Sequence, residues 1–177
     1  MNISAAVLEA PPDVFSDGPG KVAKIVVWQD GPTQLDYRWG LRPFAPGGHS
    51  YSLLRAEGRG IERPCLIIAD QFFVTPDGSR KRYKVSLKTV ESFFCFAGIW
   101  EPATADWPAS FAALTVDSSP DIAPLKDRHM AVVRPEDWEA WLRQARPAEE
   151  ILRPFPPGSF SVEPPHGKKA AGDLFDL

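Results

Sequence analysis

Arg38, Arg42, Arg55, Arg59 and Arg63 share one stretch of the chain with Trp39 and the Pro46-Gly47-Gly48 turn. Guanidinium groups hold phosphates, and bases stack on flat rings, so arginines beside exposed aromatics are a chemistry for single-stranded nucleic acid. A second basic run, Arg80-Lys81-Arg82 with Lys84, reads either as a solvated hairpin tip or as a phosphate contact. Other chemistries are harder to assemble. The 3 histidines, His49, His129 and His166, share no metal-ligand spacing, and each reads as a structural or surface residue. There is no Cys-x-x-Cys pair and no glycine-rich phosphate loop behind a strand, so neither a metal nor a cofactor is expected. Cys65 and Cys95 lie inside apolar runs and read as buried, reduced thiols.

The scaffold for these side chains centres on Pro64–Glu101. Its two apolar runs, Cys65–Val74 and Ser92–Glu101, are rich in β-branched and aromatic residues and bounded by turn residues, the pattern of buried strands. Between them, Thr75-Pro76-Asp77-Gly78-Ser79 is a turn, because Pro presets φ and Gly tolerates positive φ. Arg82–Lys88 alternates polar and apolar, as a strand with one wet face does. Upstream, Lys21–Gln29 and Gln34–Leu41 read as strands, the second with Leu35, Tyr37 and Trp39 on one face. Tyr51–Arg63 follows neither period. Downstream, Phe111–Val116 and Met130–Val133 read as strands. Arg134–Gln144 has the best helical pattern: Pro135 opens it, Glu136 and Asp137 suit its positive end, and Trp138, Trp141 and Leu142 share a face. Pro147 stops it, and Ala148–Leu152 reads as a second short helix. Met1–Gly20 is expected to be a loose arm and Arg153–Leu177 an extended strap.

A chain of 177 residues is long enough for one domain with a full core, here residues 21–177. A net charge of −3 supplies no global basic field toward nucleic acid and leaves only local patches. No apolar run approaches the roughly 20 residues that cross a bilayer, and Met1–Ala10 lacks the pattern of a secretory signal. A cytoplasmic protein with no membrane partner is therefore expected.

Taken in order, five segments resemble one family, the SOS-response-associated peptidases (SRAP), or abasic-site processing proteins. Tyr37-Arg38-Trp39-Gly40-Leu41-Arg42-Pro43 is similar to the family's Arg-Trp-Gly-Leu-x-Pro, and Leu54-Arg55-Ala56-Glu57 to its Asn-Ala-Arg-Ala-Glu-Thr. Arg63–Phe73 resembles its Arg-Cys-Leu-x-Pro-Ala-x-Gly-Phe-Tyr-Glu-Trp strand. Phe94–Glu101 resembles Phe-Ala-Phe-Ala-Gly-Leu-Trp-Glu, and Lys126-Asp127-Arg128 resembles His-Asp-Arg-Met-Pro. The resemblance runs from about Lys21 to the C-terminus and implies an α+β fold, mostly antiparallel, with a partly barrel-like β core and a few short helices.

In that family, the resemblance implies, a cysteine directly after the initiator Met traps the aldehyde of an abasic site in single-stranded DNA. An Asn, a Glu and a His around it orient groups and move protons. Carried over residue by residue, Asn2 stands for the Cys, Leu53 for the Asn, Val74 for the Glu and Lys126 for the His. Only Gly58–Pro64 separates Glu57 from Cys65, where the family usually inserts a helix. Arg55, Glu57, Asp127, Arg128, Trp39 and Gly40 still match. The expectation is a protein without crosslinking or self-cleavage activity that keeps a single-strand grip through Arg55, Arg128, Trp39, Gly40 and Glu57. One alternative is an interaction or structural relic with no DNA role, paired with an active relative. Another is an enzyme using Lys126 as an amine nucleophile.

Overall fold

The computed structural model describes residues 18–165. Apart from residues 18–20, the arm expected at the N-terminus lies outside the described residues, as does the strap beyond residue 165. In chain order the elements are β1 (Val22–Trp28), β2 (Pro32–Trp39), β3 (Leu53–Arg55), β4 (Pro64–Ala69), β5 (Phe72–Val74), β6 (Tyr83–Leu87), β7 (Phe94–Glu101), β8 (Ser110–Asp117), β9 (Arg128–Met130), β10 (Val132–Val133), α1 (Trp138–Leu142), α2 (Ala148–Ile151) and β11 (Phe160–Glu163).

Every residue of β4 is buried, so both of its faces must be covered. It is the middle of a closed ring. β1 pairs antiparallel with β2 and β4, β4 with β7, and β7 with β8. β2 then meets β8 in parallel through Arg38↔Ser110 and Trp39↔Phe111, which closes the circuit. β10 pairs with Cys95 and Phe96 of β7, opposite β4 and beyond the stretch that β8 occupies. A separate three-stranded sheet runs β11-β6-β5. The mostly antiparallel, partly barrel-like α+β core implied by the resemblance is the fold observed. Outside the ring, α1 packs on β4. The indole nitrogens of Trp141 and Trp138 donate to the carbonyls of Cys65 (2.8 Å) and Val133 (3.0 Å), so both tryptophans bury without an unpaired N–H.

Four segments differ from their sequence pattern. Met130–Val133, expected as one strand, is divided at Ala131 between β9, which pairs with β8, and β10, which pairs with β7. Cys65–Val74 is two strands: the chain breaks at Asp70–Gln71 and crosses from the ring into the second sheet. Tyr51–Arg63, periodic in neither sense, supplies only the short β3. The expected helix Arg134–Gln144 is a 3₁₀ turn over Pro135–Asp137 followed by α1. The Asp137 carboxylate accepts from Arg146 and Arg153, ties to later segments rather than to its own helix start. Cys65 and Cys95 are both fully buried free thiols, as expected, and burial pushes both up from their ordinary value.

Gly98, on β7, shows how tightly the ring is filled. A Cβ there would lie 2.7 Å from the Ala112 carbonyl, 2.9 Å from Ile67 Cδ1 and 3.0 Å from Cys65 Sγ. All three contacts come from the flanking strands, one from β8 and two from β4, and the β8 carbonyl cannot yield without disturbing the β7–β8 pairing. Gly98→Ala is expected to destabilise the protein by about 1–3 kcal/mol, the usual cost of overpacking. Urea unfolding would show it as a lower midpoint with an unchanged slope.

Candidate functional site

β8 changes neighbours along its length. Its first half lies between β2 and β7; its second half lies between β3, in parallel through Leu53↔Ala113 to Arg55↔Thr115, and β9, through Thr115↔Met130 to Asp117↔Arg128. Where the partners change, a cavity of about 590 Å³ opens toward β5 of the second sheet. Leu53, Val74 and Lys126, far apart in sequence, all line it. Trp39, Arg128 and His129 complete one side, Phe72, Phe73 and Arg82 the other, and Gly18 and Pro19 reach it from the N-terminal side.

Arg128 is the most heavily bonded side chain of the wall. Its guanidinium donates to both Glu57 oxygens (3.2 and 2.6 Å), to Asp117 Oδ1 (2.9 Å) and to the Thr115 carbonyl (2.6 Å). The fork therefore laces β9 across β8 to Glu57, two residues past the end of β3. With Arg128 only 19% exposed, this is a stronger tie than a solvent-exposed pair such as Lys24–Asp36, whose kind contributes about 0–1 kcal/mol. Its hydrogen bonds hold the Glu57 carboxyl below the usual range, with the charge of Arg55 adding to the effect. Arg128 and Glu57 thus come together, and their functional groups are spent on each other. Arg55 is exposed and, among the described residues, its guanidinium takes no hydrogen bond or ion pair.

The other expected residues divide similarly. Trp39 is buried, stacked 6.1 Å from Phe111, with its Nε1 donating to the Ser52 carbonyl; it borders the cavity without being an open platform. Gly40 is a buried joint at φ +135°, where a side chain would strike Ser50 Oγ at 2.9 Å. Lys126 donates to Asp77. Asn2 lies outside the described residues. Arginine–aromatic contacts do occur, but mostly with rings the sequence did not single out: Arg38 over Trp107 at 4.5 Å and Arg82 over Phe73 at 4.2 Å. Phe44, 90% exposed, stands edge-on to Tyr51. Only the fold brings Trp107, whose Nε1 donates to the Gly40 carbonyl, beside Arg38.

His129 is the imidazole nearest this constellation, and its nitrogens are committed. Nδ1–H donates to the Met130 carbonyl at 2.7 Å, and Nε2 accepts the Ser119 N–H at 3.1 Å, which fixes a neutral tautomer. Burial, which outweighs the Met130 bond, pulls its pKa below the ordinary 6.5, and the neighbouring Arg128 charge pulls the same way. Below about pH 6.5 the unfolded chain binds a proton that the folded ring does not, so stability rises with pH across this window and is lost as pH falls toward the folded pKa. Glu57 and Asp121, both held below ordinary carboxylate values, lose their contribution only at lower pH. Denaturant midpoints are expected to drop between pH 7.5 and pH 5.5 in the natural protein and to flatten in His129→Gln; an equal drop in both would assign the slope elsewhere.

The sequence model of the SOS response associated peptidase (SRAP) family matches residues 59–165. No curated protein matches the chain. Among solved structures, a protein from Bordetella bronchiseptica is similar with a TM-score of 0.67 at 18% identity, over 89% of this chain and 88% of that one. A phage-related protein from the same organism gives a TM-score of 0.63 at 21% identity, over 84% and 80%. A protein from Bacteroides thetaiotaomicron gives 0.60 at 18%, over 90% and 86%. At these identities the solved structures speak for the fold; the family match, which takes in β4 to β11 and Lys126, Arg128 and Val74, speaks for descent, and the chain belongs to the SRAP family.

Proposed function

We propose that this chain is an SRAP-family protein without the family's abasic-site crosslinking and self-cleavage chemistry, retaining single-strand affinity at the rim of its cavity. The observation that carries the reading is the convergence of Leu53, Val74 and Lys126 on one cavity. These are the positions at which the resemblance calls for Asn, Glu and His. Two aliphatic side chains neither donate, accept nor titrate, and the amine is tied to Asp77. The imidazole of the wall, His129, has both nitrogens engaged, and both cysteines are buried with raised pKa values, unsuited to thiolate attack. Aldehyde trapping needs a nucleophile and a partner to move its protons, and among the described residues the cavity offers no such pair.

DNA affinity in this reading is electrostatic and belongs to Arg55 and Arg82, whose guanidinium groups have no acidic partner among the described residues. Arg128, by contrast, works inside the fold. The test uses the full chain with single-stranded DNA, with and without an abasic site. No denaturant-stable adduct is expected on abasic DNA. Anisotropy of a labelled oligothymidylate is expected to show weak binding that falls with salt, at a log–log slope of about −0.7 per phosphate contacted, and that weakens in Arg55→Ala. Arg128→Ala is expected instead to lower stability by about 1.5–3 kcal/mol, the range for hydrogen bonds to a charged group. An adduct without reductant overturns the reading. Borohydride-dependent trapping that disappears in Lys126→Ala replaces it with amine catalysis. Absence of binding at low salt removes the DNA role and leaves an interaction relic.

A further inference from the structure

Leu53 and Phe73 are 50% and 44% exposed, unusual for side chains of their size and class. They come from different sheets, yet both border the same cavity. Phe72, Val74 and Trp39, all buried, line the same cavity, so apolar side chains from three strands, these two included, share its wall. A volume of about 590 Å³ falls inside the range of roughly 300–1,000 Å³ typical of small-molecule sites, which are mostly apolar walls with few polar anchors.

The charges of the wall narrow the choice of ligand. Lys126 is paired with Asp77, and Arg128 with Glu57 and Asp117. Arg82 has no acidic partner among the described residues. Its guanidinium carbon lies 4.2 Å over the Phe73 ring. A guanidinium lying on an aromatic face keeps its in-plane N–H groups for a planar anion, and a carboxylate matches that fork with two parallel hydrogen bonds. One open cation at the mouth of an apolar chamber fits a molecule with a single anionic end and a hydrocarbon body. A polyanion would leave most of its charge against Leu53, Val74 and Phe72.

We propose that this cavity binds an apolar organic acid, with its carboxylate on Arg82 and its hydrocarbon body against Phe73, Leu53 and Val74. The inference rests on the reading that the cavity no longer carries aldehyde chemistry: Leu53 and Val74, which remove the polar groups, are what make the chamber apolar. The experiment is isothermal titration of the full-length protein with sodium decanoate, with acetate and 1-decanol as controls. Saturable one-to-one binding of decanoate is expected, with no measurable acetate binding at the same concentration. Arg82→Gln is expected to weaken decanoate about 10- to 100-fold, as loss of a charged hydrogen bond does, while leaving decanol unchanged. Leu53→Asn is expected to weaken both long-chain ligands. Both substitutions fall at exposed positions, so folding is retained. No saturable decanoate binding, acetate binding as tightly as decanoate, or an unchanged affinity in Arg82→Gln would each overturn the proposal. Failure here with no abasic adduct leaves the silent-site reading standing, whereas an adduct removes that reading whatever decanoate does.

Discussion

A ring with an odd number of strands cannot alternate direction all the way around, so one neighbouring pair must run parallel. Here that pair is β2–β8, held by the register Arg38↔Ser110 and Trp39↔Phe111. A parallel pair cannot be joined by a tight hairpin, and the chain between β2 and β8 is used to build β3 to β7. The junction is brief, and beyond it β8 projects past the ring and needs fresh partners on both sides. β3 and β9 take those places. The cavity lies at this change of partners, so its position follows from closure of the barrel rather than from any side chain that lines it.

Polar groups around the junction serve first to close it. Arg128 ties β9, β8 and Glu57, just beyond β3, in one fork. The His129 imidazole ties β9 to the Ser119 turn, while Ser119 Oγ accepts the Phe155 N–H from the segment leading to β11. Asp121 accepts the N–H groups of Gly158 and Phe160, fixing where β11 begins and so where the second sheet stands against the ring. Arg128, His129, Ser119 and Asp121 thus all have structural partners, where a half-buried polar atom without one would cost about 1–3 kcal/mol; at the junction itself Arg38 Nε and Ser110 Oγ are buried without a partner among the described residues. The Arg55 and Arg82 guanidinium groups also take no acidic partner among the described residues, but both are exposed, where water satisfies them at little cost.

What the sequence made legible, and what it hid, follows the same division. β1, β2, β6, β7 and β8 were readable because burial of one or both faces leaves a period in the residues, and the glycine of β7 was placed by its family motif. The break at Asp70–Gln71 was not readable, since β4 and β5 are equally apolar and the chain crosses between sheets without Gly or Pro. The Arg134–Gln144 helix was over-read: its acidic residues looked like helix-dipole partners, but Asp137 is claimed by Arg146 and Arg153. Glu57, expected from the family match to belong to the single-strand grip, pairs instead with Arg128 from the far side of β8. Nothing local distinguishes those outcomes. The convergence of Leu53, Val74 and Lys126 could be anticipated only through the resemblance, because no periodicity relates a short edge strand, a second sheet and the loop before β9.

Stability and chemistry are therefore carried by different residues in this protein. Gly98, Arg128, Trp138 and Trp141 hold the ring and its covering helix, and each has close partners that a substitution would disturb. Leu53 is half exposed, and Lys126 pairs with an exposed carboxylate; neither contributes much to the core. Val74 is the exception, buried in β5, yet it lies on a short strand against the cavity rather than inside the ring. A scaffold arranged this way accepts different side chains at positions 53 and 126 without losing its fold. What occupies those positions sets what the chamber can hold: aliphatic side chains at 53 and 74 lower the cost of placing hydrocarbon there and raise the cost of placing a charged sugar-phosphate.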